Sequence, residues 1–218
     1  MKKFLGATLL AATLFLPTSY AAQSEIVLPT VETGGGLSVM EALSQRQTNR
    51  NFVDKDLTTA QLAKILWAAN GINRPDKQKR VNPAALGVYA VEVYAVTREG
   101  IFLYEPESHK LKLINAGDYR AATTTGQGFV SKAAVNLVYV ENPDAWKNAR
   151  HTPPPREAQL SSANVTVGAM VQSVALAAQT EGLGNCVRGS INRDAFKKAA
   201  RISAEKNVLL AQSVGFIK

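Results

Sequence analysis

Apolar and polar positions change period several times along the chain, and each change marks an element. Leu37, Met40 and Leu43 follow a helical spacing that stops at Arg46. A second helix is bounded more sharply. Thr58 is placed to cap it, Gln61 completes a capping box, and Leu62, Ile65, Leu66 and Ala69 form its apolar stripe, with Gly71 as its stop. Tyr89–Val96 is rich in β-branched and aromatic residues and predicts a strand. Two shorter strands, Ile101–Tyr104 and Lys110–Ile114, flank a turn through Pro106. Val135–Val140 is continuously apolar, the pattern of a strand covered on both faces. Val165–Glu181 predicts a long apolar helix ending at Gly182. Asp194–Arg201 predicts a short basic helix, and Val208–Ile217 a closing strand. Between these lie an exposed lead-in, Gln23–Gly36, a basic loop, Arg74–Arg80, and a surface excursion, Pro143–Arg156. The order is mixed, with no repeat and no linker, and predicts one α+β domain.

The first residues stand apart from this pattern. Lys2 and Lys3 precede an apolar run, Phe4–Leu16, then Pro17 and the small-residue stretch ending at Ala21. That is the order of a cleavable secretory signal, residues 1–21, and the run is too short to span a bilayer. The expectation is therefore a periplasmic or secreted protein, residues 22–218, without a stable membrane anchor. The single cysteine, Cys186, leaves no internal disulfide framework, so stability must come from packing. The formal charge of +8 falls to +6 without Lys2 and Lys3. This excess favours anionic ligands, but it is dispersed, and no nucleic-acid-binding motif accompanies it.

Hydrolytic chemistry finds little support. His109 and His151 are the only histidines, and neither has metal-ligand spacing to a cysteine or carboxylate, so both are expected to be solvated loop residues and no metal is expected. Cys186 reads as a buried thiol rather than a nucleophile. There is no G-x-S-x-G elbow and no P-loop.

The segment Arg46-Gln47-Thr48-Asn49-Arg50 is more informative. Two permanently charged guanidinium groups bracket a hydroxyl, a set suited to one phosphate, although such spacing also occurs on solvated surfaces. The later pieces arrive in a distinctive order. They are Leu66-Trp67-Ala68-Ala69-Asn70-Gly71, then Asn82-Pro83-Ala84-Ala85-Leu86-Gly87 leading into Val91-Glu92-Val93-Tyr94, and Gly117-Asp118-Tyr119-Arg120 with Gln127. Gly168 and Gln172 follow, then Gly182-Leu183-Gly184, and finally Val214-Gly215-Phe216.

In this order, from about Leu37 to Phe216, the chain resembles the nitroreductase family of FMN-dependent oxidoreductases. It looks closest to the branch that includes azoline dehydrogenases of peptide maturation. The resemblance implies an intertwined homodimer, with a mainly antiparallel sheet flanked by helices and FMN at the subunit interface. Arg46, Thr48 and Arg50 would hold the flavin phosphate and ribityl chain. Pro83, Ala84, Ala85 and Gly87 would line the ring, and backbone N–H groups of Arg188 and Gly189 would face flavin N5 and O4. Chemistry in that family is centred on the flavin, so no side-chain catalyst is implied. A small conjugated, nitro- or quinone-like substrate is implied, with NAD(P)H a possible donor, although an exported protein meets little of it. Ala84 replaces the serine usual in the ring-lining segment. That replacement leaves room for an alternative, a non-catalytic flavin- or ligand-binding protein on the same fold.

Overall fold

Reciprocal capping boxes start the first two helices. In α1, Val39–Gln45, the Ser38 hydroxyl accepts from the Glu41 N–H, while the Glu41 carboxylate accepts from the Ser38 N–H at 2.7 Å. In α2, Thr59–Asn70, Thr58 and Gln61 do the same, as the sequence predicts. The computed structural model describes residues 24–218, and the predicted signal segment lies outside them. Ile65, Leu66 and Ala69 of α2 are fully buried, and truncating a residue such as Leu66 to alanine costs about 2–5 kcal/mol. Gly71 ends the helix for a reason of space rather than handedness. Its φ is −70°, but a Cβ there would lie 2.3 Å from Trp67 Cδ1.

The chain builds a seven-stranded sheet from β1 (Glu25–Val27), β4 (Val91–Val96), β5 (Gly100–Glu105), β6 (Lys110–Ala116), β7 (Val135–Glu141), β8 (Gly184–Arg188) and β9 (Asn207–Gly215). A separate hairpin pairs β2 (Ile72–Arg74) with β3 (Lys79–Arg80). The sheet order is β1-β6-β5-β4-β7-β9-β8, with every neighbouring pair antiparallel. On one face, Val93, Ala95, Leu137, Tyr139 and Val214 pack under α2 and the long helix α3, Arg156–Thr180. On the other, Tyr94, Val96, Val138, Val140 and Ala211 meet Phe196 of α4, Arg193–Ala199. Tyr94 and Phe196 contact edge to face at 5.9 Å. β7 lies between the two layers, and all seven of its residues are buried. An α+β architecture with a mainly antiparallel sheet is therefore observed.

Several expectations need correction. The lead-in contains strand β1, which pairs with β6, and the Arg74–Arg80 loop is a hairpin connection, beginning at the last residue of β2 and ending with β3. α3 begins at Arg156, not Val165, directly after the triple proline. Its first turns are polar and half-exposed, so their apolar signal is thin. Arg156 is held by a two-pronged ion pair to the fully buried Glu141, at 2.7 and 2.6 Å. The Pro143–Arg156 excursion is anchored rather than loose, because Trp146 is buried. No strand is expected after Gly182-Leu183-Gly184, yet Gly184–Arg188 forms β8. His109 is not simply solvated. Its ring accepts from the Tyr104 hydroxyl at 2.8 Å and donates to the Pro29 carbonyl at 3.0 Å, since a carbonyl can only accept.

Candidate functional site

The Arg46–Arg50 segment leaves α1 where Arg46 adopts φ −58°, ψ 123°, and then runs along the outer edge of β8. Thr48 bridges Asn185 in parallel, and the Asn49 N–H donates to the Asn185 carbonyl at 2.8 Å. Further on, Phe52 bridges Ile217 and is buried with Ala133 and Cys186. The Lys218 N–H donates to the Asn51 carbonyl at 3.1 Å, which brings the chain end beside this segment. Where the chain is extended alternate residues share a side, the spacing that would set Arg46, Thr48 and Arg50 toward one ligand. Thr48 and Arg50 are exposed and Arg46 is half-buried. Among the described residues no carboxylate pairs with either guanidinium, whereas Arg80 and Arg156 each have one and Arg98 and Arg120 two.

Gly184 permits this crossing. A Cβ at that position would lie 2.2 Å from Ile217 Cγ2 and 2.8 Å from Asn49 Cβ. The glycine therefore serves the passage of two chain segments over β8. Gly189, by contrast, is exposed, and a Cβ added there would meet nothing within 4 Å, so a ligand can approach its backbone closely. Beside the crossing, Asn185 Nδ2 is a buried donor without a partner among the described residues.

Pro83, Ala84, Ala85 and Gly87 lie elsewhere. Pro83, Ala85 and Gly87 are exposed, and a 3₁₀ turn spans Ala85–Gly87. Leu86 is 57 % exposed at φ 55°, a left-handed backbone that branched apolar residues rarely adopt and that often marks a functional segment. Ala85 lines a small cavity with Ser162, Ala163 and Thr166, in the first half of α3. The Arg46 segment stands at the other end, where the Gln179 amide donates to Gln45. From Thr166 to Gln179 the helix makes thirteen rises, about 20 Å, while Ser173, which donates to Asn82 beside Pro83, stands six rises from Gln179. Among the described residues no hydrogen bond or ion pair joins the two predicted halves of the site within one chain.

The Arg188 side chain turns away from the exposed Gly189 turn and into the protein. It is buried, donating from Nε to Ser213 Oγ at 3.0 Å and from Nη1 to the Thr123 carbonyl at 2.9 Å. Nη2 donates to Thr123 Oγ1 at 3.2 Å and Asn136 Oδ1 at 3.1 Å. Burial without a carboxylate holds its pKa down, to about 10. Cys186, opposite Ser213 across the strands, is buried as expected. That burial pushes the thiol pKa up, despite the charges of Arg50 and Arg188, so it is a poor nucleophile. The residues gripping Arg188 escaped sequence reasoning. The one available signal was polarity at Asn136 and Ser213 inside apolar strands.

Residues 43–216 match the nitroreductase family profile. The chain belongs to the nitroreductase family. It is accordingly an oxidoreductase. A nitroreductase-family protein of Methanocaldococcus jannaschii is 28 % identical over 200 residues, covering 88 % of this chain and 96 % of that one. A nitroreductase-family crystal structure from Ralstonia eutropha is 28 % identical with a TM-score of 0.83, covering 98 % of this chain and 99 % of the other. The NADPH:FMN oxidoreductase of Vibrio harveyi, complexed with NAD+, is 18 % identical with a TM-score of 0.59, covering 83 % of this chain and 69 % of the other. At that identity it shares the nitroreductase fold alone. The finer placement beside azoline dehydrogenases is not carried by these matches.

Proposed function

We propose that the protein is an exported FMN-dependent oxidoreductase acting on a small conjugated, nitro- or quinone-like substrate at a site shared between two copies of the chain. The observation that carries this reading is the Arg46–Thr48–Arg50 set. It is fixed along β8, the strand that leads into the open Gly189 turn, and its two guanidinium groups lack carboxylate partners among the described residues. Such a set fits the phosphate of FMN. Arg46 and Arg50 would hold the phosphate through paired N–H groups, with Thr48 adding a hydroxyl. Backbone N–H groups at Arg188 and Gly189 would face the ring, as fixed donors where negative charge develops. The bound flavin supplies the electron transfer itself, which fits a chain without a reactive side-chain pair. The Vibrio harveyi oxidoreductase, solved with NAD+, supports a nicotinamide as one class of donor.

The separation along α3 supports a homodimer. Val165, 73 % exposed, and Gly168 lie on the uncovered face of this helix. Val39 and Met40 of α1 are also exposed, at 67 and 73 %. A second copy of the chain packed on this face would cover apolar surface. In such a dimer the partner's Pro83, Ala84, Ala85 and Gly87 would complete the site at Arg46 and Arg50. Export is supported by the charged, apolar and small-residue order of residues 1–21.

The test is the visible absorption spectrum of the mature chain from Ala22, with release and identification of any chromophore. About one FMN per subunit is expected. A colourless protein that also fails to take up added FMN would remove the reading. Ala84 favours a second reading, a flavin-binding protein without turnover, because it takes a hydroxyl from the ring-lining segment. Steady-state turnover of the loaded protein with reduced donors separates the two.

A further inference from the structure

The flavin site proposed for this chain uses the backbone of Arg188 but not its side chain. The guanidinium is buried against only neutral acceptors, the Thr123 carbonyl and hydroxyl, Asn136 Oδ1 and Ser213 Oγ. These acceptors are themselves fixed. The Ser213 hydroxyl donates to Asn136 Oδ1 at 2.6 Å, the Asn136 amide donates to the Val130 carbonyl at 3.0 Å, and the Thr123 hydroxyl donates to the Arg120 carbonyl at 2.8 Å. Among the described residues no carboxylate reaches it. A buried charge is ordinarily paired, and leaving it unpaired is costly. The four hydrogen bonds orient this charge without cancelling it.

We propose that Arg188 is a positioning residue whose buried, carboxylate-free guanidinium biases the Arg188–Gly189 turn electrostatically toward the more negative, reduced form of a flavin bound there. The inference rests on the flavin reading. A flavin held here would take a hydride, two electrons and one proton, from a reduced nicotinamide, which would leave oxidised, and would gain one unit of negative charge. A fixed cation beneath the turn lowers the energy of that charge without reorganising, and low-dielectric surroundings let its field reach further than in water.

The experiment is the midpoint potential of FMN bound to the mature chain, in the wild type and in Arg188→Lys, Arg188→Gln and Asn136→Asp. The last variant is the sharpest. It sets a carboxylate at the atom that already accepts from Arg188, countering the charge with the arginine kept, at the cost of the hydrogen bond to the Val130 carbonyl. Arg188→Gln and Asn136→Asp are expected to lower the preference for reduced over oxidised flavin at least about tenfold, which is about 30 mV for a two-electron couple. Arg188→Lys keeps the charge but loses the fork of hydrogen bonds, and should stay within about threefold of wild type. A wild-type potential in either Arg188→Gln or Asn136→Asp would overturn the proposal. So would a fall in Arg188→Lys as large as in Arg188→Gln, because hydrogen bonding rather than charge would then be at work. If Arg188→Gln does not fold, Asn136→Asp decides alone. A wild-type chain that binds no FMN sinks the flavin reading and this inference together. A loaded protein whose potential ignores Asn136→Asp sinks only this inference.

Discussion

Two buried arginines hold the same short turn, Arg120–Thr123, and their charges are met in opposite ways. Arg120 is wrapped in acid. It meets Asp118 through Nε and Nη2, the latter at 2.7 Å, reaches Asp54 at 3.4 Å and donates to the Ala133 carbonyl at 3.1 Å. Asp118 raises the Arg120 pKa, and Arg120 in turn holds the Asp118 carboxyl below the usual carboxylate range. Arg188 grips the far end of the turn through Thr123 and meets only neutral groups, so burial pulls its pKa down instead. An arginine that brings its own counter-ions is part of the scaffold and projects little field. One held by neutral acceptors, or left without a carboxylate among the described residues as Arg46 and Arg50 are, keeps its charge available to an anionic ligand.

Exchanging these classes by mutation should break the comparison if it is wrong. The largest effect is expected from Arg46→Ala combined with Arg50→Ala. Affinity for FMN should fall at least about a hundredfold, or about 2.7 kcal/mol, with the melting temperature of the apoprotein nearly unchanged, because Arg50 is exposed and neither side chain is ion-paired among the described residues. Arg120→Ala should do the reverse. Chemical denaturation should show a loss of about 2–3 kcal/mol, since the Ala133 carbonyl loses its donor and two aspartates lose their partner, while FMN affinity changes far less.

Gly184→Ala sharpens the placement of the site. The new methyl collides with Ile217 and Asn49, so about 1–3 kcal/mol of stability should be lost together with FMN affinity as the Arg46–Arg50 segment is pushed off β8. Co-titration of the unfolding midpoint and the flavin affinity in this one variant checks the coupling. The smallest effect is expected from Asp118→Asn, about 0.5–1 kcal/mol at neutral pH, discounted because Asp118 is 45 % exposed. Its folded pKa lies below the unfolded one, so the wild type holds this contribution above the ordinary carboxylate pKa and loses it as pH falls through the depressed value. The gap between wild type and Asp118→Asn should therefore close in acid, as a pair of melting curves against pH would reveal.

Much of the scaffold was legible because local chemistry and tertiary packing agree. Thr58 and Gln61 announce α2, and the unbroken apolar run of β7 announces the strand between two layers. Legibility failed where the decisive partner is distant in sequence. β8 contains Gly184, Asn185 and Arg188, which carry no strand preference, and it is a strand because β9 pairs with it on one side and Thr48 on the other. The first turns of α3 are fixed by Arg156 reaching Glu141 rather than by an apolar stripe. The apolar spacing of Met40 and Leu43 correctly marked α1 but not its direction, for both face outward and Ala42 is the buried residue. Of the candidate site, the arginine pair was visible as residues in a pattern. The neutral surroundings of Arg188 were not, since only the fold brings Thr123, Asn136 and Ser213 around it.

The measurement closest to the central claim compares FMN with riboflavin, titrated into the apoprotein of residues 22–218. The two ligands differ only in the phosphate that Arg46, Thr48 and Arg50 are assigned to hold. FMN should bind at least about a hundredfold more tightly than riboflavin, and the difference should collapse in the Arg46→Ala, Arg50→Ala variant. Equal affinity for the two ligands in the wild type, or a phosphate preference that survives the double substitution, would contradict the account.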